Sequence, residues 1–155
     1  MNSNNKVACP LDCYDACQGQ IIEDFYIVFK DGKAIEVHAK KNQALLEQMI
    51  KMDASAAYLG EAALVPFDSP INNTNILFLS TLYDENACCH LALGTGFPET
   101  MVDFDKYSLE DITKKGINNS MIHVDFMIGS KDLHIVGHTR DNKNIVIFDH
   151  GNWAF

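Results

Sequence analysis

Ile21-Ile22-Glu23-Asp24-Phe25-Tyr26-Ile27-Val28-Phe29, then Lys30-Asp31-Gly32-Lys33, then Ala34-Ile35-Glu36-Val37-His38-Ala39, is the stretch on which the fold class turns. The first run is rich in β-branched and aromatic residues, which pack well on a pleated surface. Asp-Gly is the pair that a type I′-like turn needs, because both central residues take positive φ. The return run alternates apolar and polar. From Gln20 onward the text therefore opens on a β-hairpin. Downstream, Asn42 caps a helix expected to reach about Met52, with Leu45, Leu46, Met49 and Ile50 on one face. A short second helix is expected from Asp53 to Leu59, stopped by Gly60. Ala62–Pro66 reads as a short strand, Asp68–Asn73 as a turn-rich loop and Ile76–Leu82 as strand-like. Asp84-Glu85-Asn86 opens what reads as a buried helix over Ala87–Leu93, ended by Gly94, Gly96 and Pro98. Ser108 caps a helix to Lys115, stopped by Gly116. Ser120–Ile128, Leu133–Gly137 and Asn144–Phe148 read as strands, the last two joined by a turn at Asp141-Asn142-Lys143. The sum is an α+β fold: a mixed, mostly antiparallel sheet with helices packed on it.

A chain of 155 residues implies one domain. It can bury roughly 70% of the surface its unfolded form exposes. The net charge of −9 disfavours nucleic acid and anionic membrane as partners, since phosphate contacts need clustered Lys and Arg. The same field suits a cationic group such as a peptide's free amine. No apolar run approaches the ~18–20 residues that a membrane helix needs. Met1–Lys6 holds no apolar core of a signal peptide, so a cytoplasmic location is expected. An odd number of cysteines, five, with Cys88 and Cys89 adjacent, reads as reduced thiols rather than a disulfide framework. Residues 1–18 carry Cys9, Cys13, Cys17 and Pro10 without periodic apolar pattern, and read as a leader separate from residues 19–155.

Chemistry concentrates in three separated segments: Glu61, His90, and the pair His123 and Asp125. At i and i+2 on a strand, His123 and Asp125 leave the same face. Imidazole nitrogen with carboxylate oxygen suits zinc, cobalt or manganese. Each residue also has an ordinary reading: a hydrogen-bonded His–Asp pair, an exposed loop acid at Glu61, a satisfied core histidine at His90. Asp84 and Glu85 are expected to cap or support the His90 segment from outside the ligand set. Cys88 and Cys89 read as core thiols rather than nucleophiles. His134, His138 and His150 read as strand-edge or loop histidines, and Trp153 as a packing anchor.

The local strings add more. Leu59-Gly60-Glu61-Ala62-Ala63-Leu64-Val65-Pro66, Asp68-Ser69-Pro70-Ile71, Thr81 to Gly94, His123-Val124-Asp125-Phe126-Met127-Ile128-Gly129 and Gly151-Asn152-Trp153 occur in that order. Together they resemble the thermophilic aminopeptidase family of metallopeptidases, of the aminopeptidase T, aminopeptidase S and PepS type. The likeness runs from about Gly19 to Ala154 and implies the carboxy-terminal part of a larger metallopeptidase. It implies Glu61, His90, His123 and Asp125 as ligands of two divalent ions (zinc, cobalt or manganese). Glu61 would bridge the ions and take a catalytic part in handling the proton of a metal-activated water. Peptides are the implied substrates, cleaved at their amino-terminal residue, and a homodimer is the implied assembly. Two departures stand against this. The family's further glutamate ligand, in a Glu-Glu-Val-Phe-type string, has no counterpart here. Phe97 stands where many members carry a tyrosine that serves the tetrahedral intermediate. A non-catalytic remnant that folds and associates without a complete metal site is therefore the competing reading. Cys9-Pro10-Leu11-Asp12-Cys13-Tyr14-Asp15-Ala16-Cys17 is in turn similar to the start of molybdopterin oxidoreductases, where cysteines hold an iron–sulfur cluster. That likeness reads as a fused leader, with a redox protein as the third alternative.

Overall fold

A computed structural model describes residues 5–8, 13–15 and 20–155. Cys9 and Cys17, and the side chain of Cys13, lie outside the described residues, and so does the cluster-binding reading of the leader. Strands β1 (Asn5–Ala8) and β2 (Cys13–Asp15) both lie antiparallel on β3 (Gln20–Lys30), along different stretches of it. Strand β4 (Lys33–Lys41) pairs with β3 as the return arm of the expected hairpin. The turn takes the two positive φ angles that the sequence anticipates, 52° at Asp31 and 77° at Gly32. Phe25, Ile27 and Phe29 point into the core, and Ala34 and Ala39 meet them from β4.

Helix α1 (Gln43–Met49) buries Leu46 and Met49 but ends about a turn earlier than expected. Asn42 precedes it with φ at 59° and makes no side-chain cap. The helix start is tied down by Gln43 instead. Its Oε1 accepts from the Ala39 N–H at 2.5 Å, and its Nε2 donates to the Val37 carbonyl at 3.1 Å.

The second expected helix, Asp53 to Leu59, does not form. The Asp53 carboxylate accepts from the N–H of Ser55 at 2.7 Å, the Met121 N–H at 2.7 Å and the Ser120 hydroxyl at 2.8 Å. These bonds, led by the one from Met121, hold its carboxyl below the ordinary range. They favour a turn pinned to a distant segment over a local helix. Gly60 accordingly lies inside strand β5 (Leu59–Ala63) rather than at a helix end. A Cβ there would fall 2.3 Å from the Thr95 carbonyl oxygen. Ile76–Leu82 is not a strand either. Ile76, Leu77 and Leu79 stand 58%, 54% and 55% exposed, leading into the short helix α2 (Thr81–Asp84). Asp84 folds this loop back on itself, its carboxylate accepting from the N–H groups of Phe78 and Ser80, both at 2.9 Å.

The third correction matters most for function. Ala87–Leu93 is not a buried helix. A 3-10 turn over Glu85–Ala87 leads into strand β6 (His90–Gly94). Helix α3 (Leu109–Lys114) follows as expected, capped by Ser108, which accepts from the Asp111 N–H at 3.2 Å, and stopped at Gly116 with φ 105°. Strand β7 (His123–Met127) completes a three-stranded sheet ordered β5-β6-β7. Strands β8 (Ile135–His138), β9 (Asn144–Asp149) and β10 (Asn152–Trp153) form a further sheet ordered β10-β9-β8. Every strand pairing between these elements is antiparallel, and the fold class is α+β. One core joins the β3–β4 hairpin and α1 to Leu93, Val124 and Phe126 of β6 and β7, with Phe25 and Phe126 edge-on at 5.9 Å. Among the described residues no helix is long and apolar enough to cross a membrane.

Candidate metal centre

The register of β5-β6-β7 builds the centre. Ala92 lies opposite Glu61 on one side and Asp125 on the other, while Gly94 lies opposite His123. The two-residue period of a strand then divides the sheet into two faces. Leu93, Val124 and Phe126 join the core, with Leu91 packed against it. Glu61, His90, Ala92, His123 and Asp125 share the opposite face. At the middle of this set stands the small, fully buried Ala92, and beyond it Gly94 adds no side chain. The larger side chains from both flanks can therefore lean together over β6.

They meet at close range. Glu61 Oε1 lies 3.4 Å from His90 Nε2, and Glu61 Oε2 lies 3.3 Å from His123 Nε2. Asp125 Oδ1 is 3.3 Å from the same His123 nitrogen. Both imidazoles are oriented from behind. His123 Nδ1 lies 2.7 Å from the Thr95 carbonyl and His90 Nδ1 lies 3.1 Å from the Cys88 carbonyl. A carbonyl only accepts, so each Nδ1 carries the proton, and each Nε2 faces the carboxylates. Backbone carbonyls in this position are the usual means of fixing a ligating imidazole. Hydrogen bonding to Asp125 is the main cause that pushes His123 up to about 9. Ligating atoms of Glu61, His123 and Asp125 lie within 4.8 Å of one another, and those of Glu85, His90 and Asp125 do likewise. Two imidazole nitrogens and converging carboxylates on a partly buried sheet face fit a divalent metal ion.

The structure separates the two neighbouring acids. Asp84 is buried and spent on the backbone of its own loop. Glu85 turns toward His90 and Asp125 and hydrogen-bonds Asp125; burial, then the negative charge of Asp125, raise its carboxyl above the ordinary range. Its place in the His90–Asp125 cluster was not read from the sequence, although a carboxylate five positions before a candidate histidine was a usable signal. The orienting carbonyls of Cys88 and Thr95 have no such signal, because any residue supplies one. Phe97, 47% exposed, sets its ring 4.7 Å from that of His123. It also lines a hollow of about 360 Å³ with Gly60, Glu61, Ala62, Thr100 and Ile117. His134 pairs with Asp149 at 3.1 Å and His138 with Asn144 at 2.7 Å on the exposed third sheet, while His150 is 86% exposed at its side chain.

Cys88 and Cys89 are both 1% exposed. Burial pushes the Cys88 thiol up to about 11 and raises that of Cys89, which lies 3.2 Å from the Val65 carbonyl. Neither offers a thiolate near neutral pH. Iodoacetamide at neutral pH should leave both unmodified in the folded chain and label both after denaturation, as read by peptide mass spectrometry. Prompt labelling of either in the native state would contradict this packing.

A sheet face of this make has the residue types of a divalent-metal centre, the kind that metallohydrolases use. Residues 14–153 match the family described as thermophilic metalloprotease (M29). The chain is 47% identical to aminopeptidase AmpS of Bacillus subtilis over 137 residues, covering 88% of this chain and 33% of that protein. It is 45% identical to aminopeptidase 2 of Geobacillus stearothermophilus, covering 88% and 33%. Among solved structures, wild-type AmpT from Thermus thermophilus superposes with a TM-score of 0.83 at 33% identity, covering 97% of this chain and 36% of that one. The chain belongs to the M29 family of metallopeptidases. It spans about a third of the length of these relatives. Membership implies a divalent metal, and the clusters just described offer residue types that could hold one.

Proposed function

We propose that the chain carries the ligand-bearing part of an aminopeptidase that releases amino-terminal residues from peptides, with two divalent ions held by Glu61, His90, His123 and Asp125. The observation that supports this reading is the placement of Glu61. Its two oxygens face two different imidazole nitrogens, one at 3.4 Å and one at 3.3 Å, as a carboxylate shared between two ions would. Divalent ions there would supply a bound water of lowered pKa and Lewis-acid polarisation of the scissile carbonyl.

The chain's own residues do the rest. Thr95 and Cys88 carbonyls keep both Nε2 atoms facing inward. Glu61 would also take a part in handling the proton of the attacking water. The hollow between Phe97, Ala62 and Ile117 would receive an apolar side chain of the substrate's first residue and keep water from that side. The surplus of acidic groups suits the peptide's free amine. Phe97 offers no hydroxyl, and loss of one such donor costs ~10²–10³ in rate. That residue favours the second reading, a non-catalytic remnant.

Dialysis of the purified chain against Zn²⁺ or Co²⁺, followed by metal analysis and a leucyl-anilide hydrolysis assay on the same sample, separates the two. Two ions per chain with turnover is the expected result. One ion or none, without turnover, would leave the remnant reading in its place.

A further inference from the structure

The candidate centre has a hollow at each end. Along β6 the Gly94–His123 row and the His90–Met127 row lie four residues apart, ~14 Å at the usual rise of a strand. Phe97 and its hollow stand at the first row, where the Phe97 ring meets that of His123. Met127 stands at the second row, directly opposite His90. Two residues after Asp125, it shares the face of β7 that carries the candidate ligands. There Met127 and Ala87 line a second hollow of about 260 Å³, with Ile71, Ile76 and Leu77 as its other apolar walls. Ile76 and Leu77 are the exposed apolar residues that no strand or core contact accounts for among the described residues.

This wall faces water, yet its backbone is held. Ser69, itself 2% exposed, donates its hydroxyl to the Ala87 carbonyl at 2.8 Å and accepts from the Asn72 N–H at 3.0 Å. Asn72 Nδ2 donates to the Phe67 carbonyl at 2.8 Å. Asp84 pins the far side of the loop through the N–H groups of Phe78 and Ser80. Apolar side chains presented to water on a pinned backbone are what a preformed binding surface requires. We propose that this second hollow receives an apolar side chain of the residue that follows the scissile bond, so that a peptide is gripped on both sides of that bond. This rests on the aminopeptidase reading above. In an extended peptide consecutive side chains point opposite ways, and the two hollows lie at opposite ends of the candidate centre. The bond between the two residues would then sit beside Glu61, whose oxygens face His90 and His123. The chain would select on the second residue, apolar over charged, as well as on the first.

Photo-crosslinking tests this without turnover. Two tetrapeptides would be used with the full chain after dialysis against Zn²⁺, each with its first amide reduced so that it cannot be cleaved. One carries photo-leucine at the first position and the other at the second. Irradiation expels N₂ from the diazirine, and the carbene inserts into a neighbouring bond, which peptide mass spectrometry locates. The second-position probe should attach within residues 71–77 or at Met127, and the first-position probe beside Phe97 or Ile117. An excess of Leu-Leu should compete both away. Replacing the wall by Ile76→Ser with Leu77→Ser should lower the ratio of second- to first-position attachment by more than ~10-fold, since even one methylene in an apolar pocket is worth about that much. Both side chains are more than half exposed, so the melting temperature should hold and an unfolded variant would be seen. A second-position probe that attaches anywhere else overturns the inference. If the first-position probe still lands beside Phe97, the aminopeptidase reading survives that result. If Leu-Leu displaces neither probe, both fall together. Attachment elsewhere, with loss of a dimer on sedimentation of the doubly substituted chain, would give this surface to a second copy instead.

Discussion

His123→Ala should empty the position that His123 shares with Glu61 and Asp125. The retained metal should fall by at least one ion per chain, and any leucyl-anilide hydrolysis should fall by more than ~10³-fold, since removing a single stabilising donor already costs ~10²–10³. The reason is electrostatic as well as coordinative. His123 Nε2 stands 3.3 Å from both Glu61 Oε2 and Asp125 Oδ1, an imidazole between two carboxylates. Without it those carboxylates face each other across a partly buried space, and like charges so placed resist full ionisation. A cation would still be attracted there, but with its neutral nitrogen donor gone it would exchange freely. Metal analysis after exhaustive dialysis reads this directly. His134→Ala serves as the control, because His134 is occupied with Asp149 on another sheet. If His123→Ala retained as much metal as the unmodified chain, the centre would be wrongly assigned.

Gly94→Ala should unfold the chain or leave it barely folded. Gly94 has φ at 95°, where an L side chain is strained by roughly 1–2 kcal/mol. Its Cβ would also lie 2.1 Å from the Ile122 carbonyl oxygen, a backbone atom without freedom to swing aside. The Gly94 N–H donates to the Tyr58 carbonyl at 2.8 Å, so moving Gly94 would disturb β5 and β7 together. A combined loss above about 4 kcal/mol is expected, set against a total stability of about 5–15 kcal/mol for a domain of this kind. Thermal melting by circular dichroism would show it as a lost or strongly lowered transition. A melting temperature within a few degrees of the unmodified chain would mean that the strands separate more easily here than the close approach implies. Gly32→Ala is the contrast: nothing lies within 4 Å of a Cβ there, so only the positive φ of 77° opposes it.

The elements that were legible in the sequence are those whose determinants are local. Asp31-Gly32 specifies its own turn, and Ser108 with Gly116 brackets its own helix. The failures share the opposite property. Asp53 looked like a helix start, but its partners Ser120 and Met121 lie 67 and 68 residues away. His90-Leu91-Ala92-Leu93-Gly94 is a short apolar run, which periodicity alone does not assign to helix or strand. Its two-residue alternation, with ligand-bearing and small residues on one face and leucines on the other, becomes decisive only when β5 and β7 flank it. Ile76–Leu79 is apolar and β-prone, yet among the described residues no strand pairs with it. At the centre, Glu61, His90, His123 and Asp125 were legible because their chemical types recur in recognisable strings. The division of labour between Asp84 and Glu85 was not. Adjacent acids look alike in sequence, and which of them turns toward His90 and Asp125 is set by loop bonds to Phe78 and Ser80.

Glu61, His90, His123 and Asp125 arrive from three adjacent strands of a single ladder, around an alanine that leaves the space open. An ion can be gripped only when those strands are in register, so binding and sheet formation draw on the same equilibrium. At a free ion concentration 100 times the dissociation constant, that linkage adds about 2.7 kcal/mol to folding. An ion bound there would be a clasp on the sheet, and the chain's persistence against unfolding would rise and fall with the supply of ion around it.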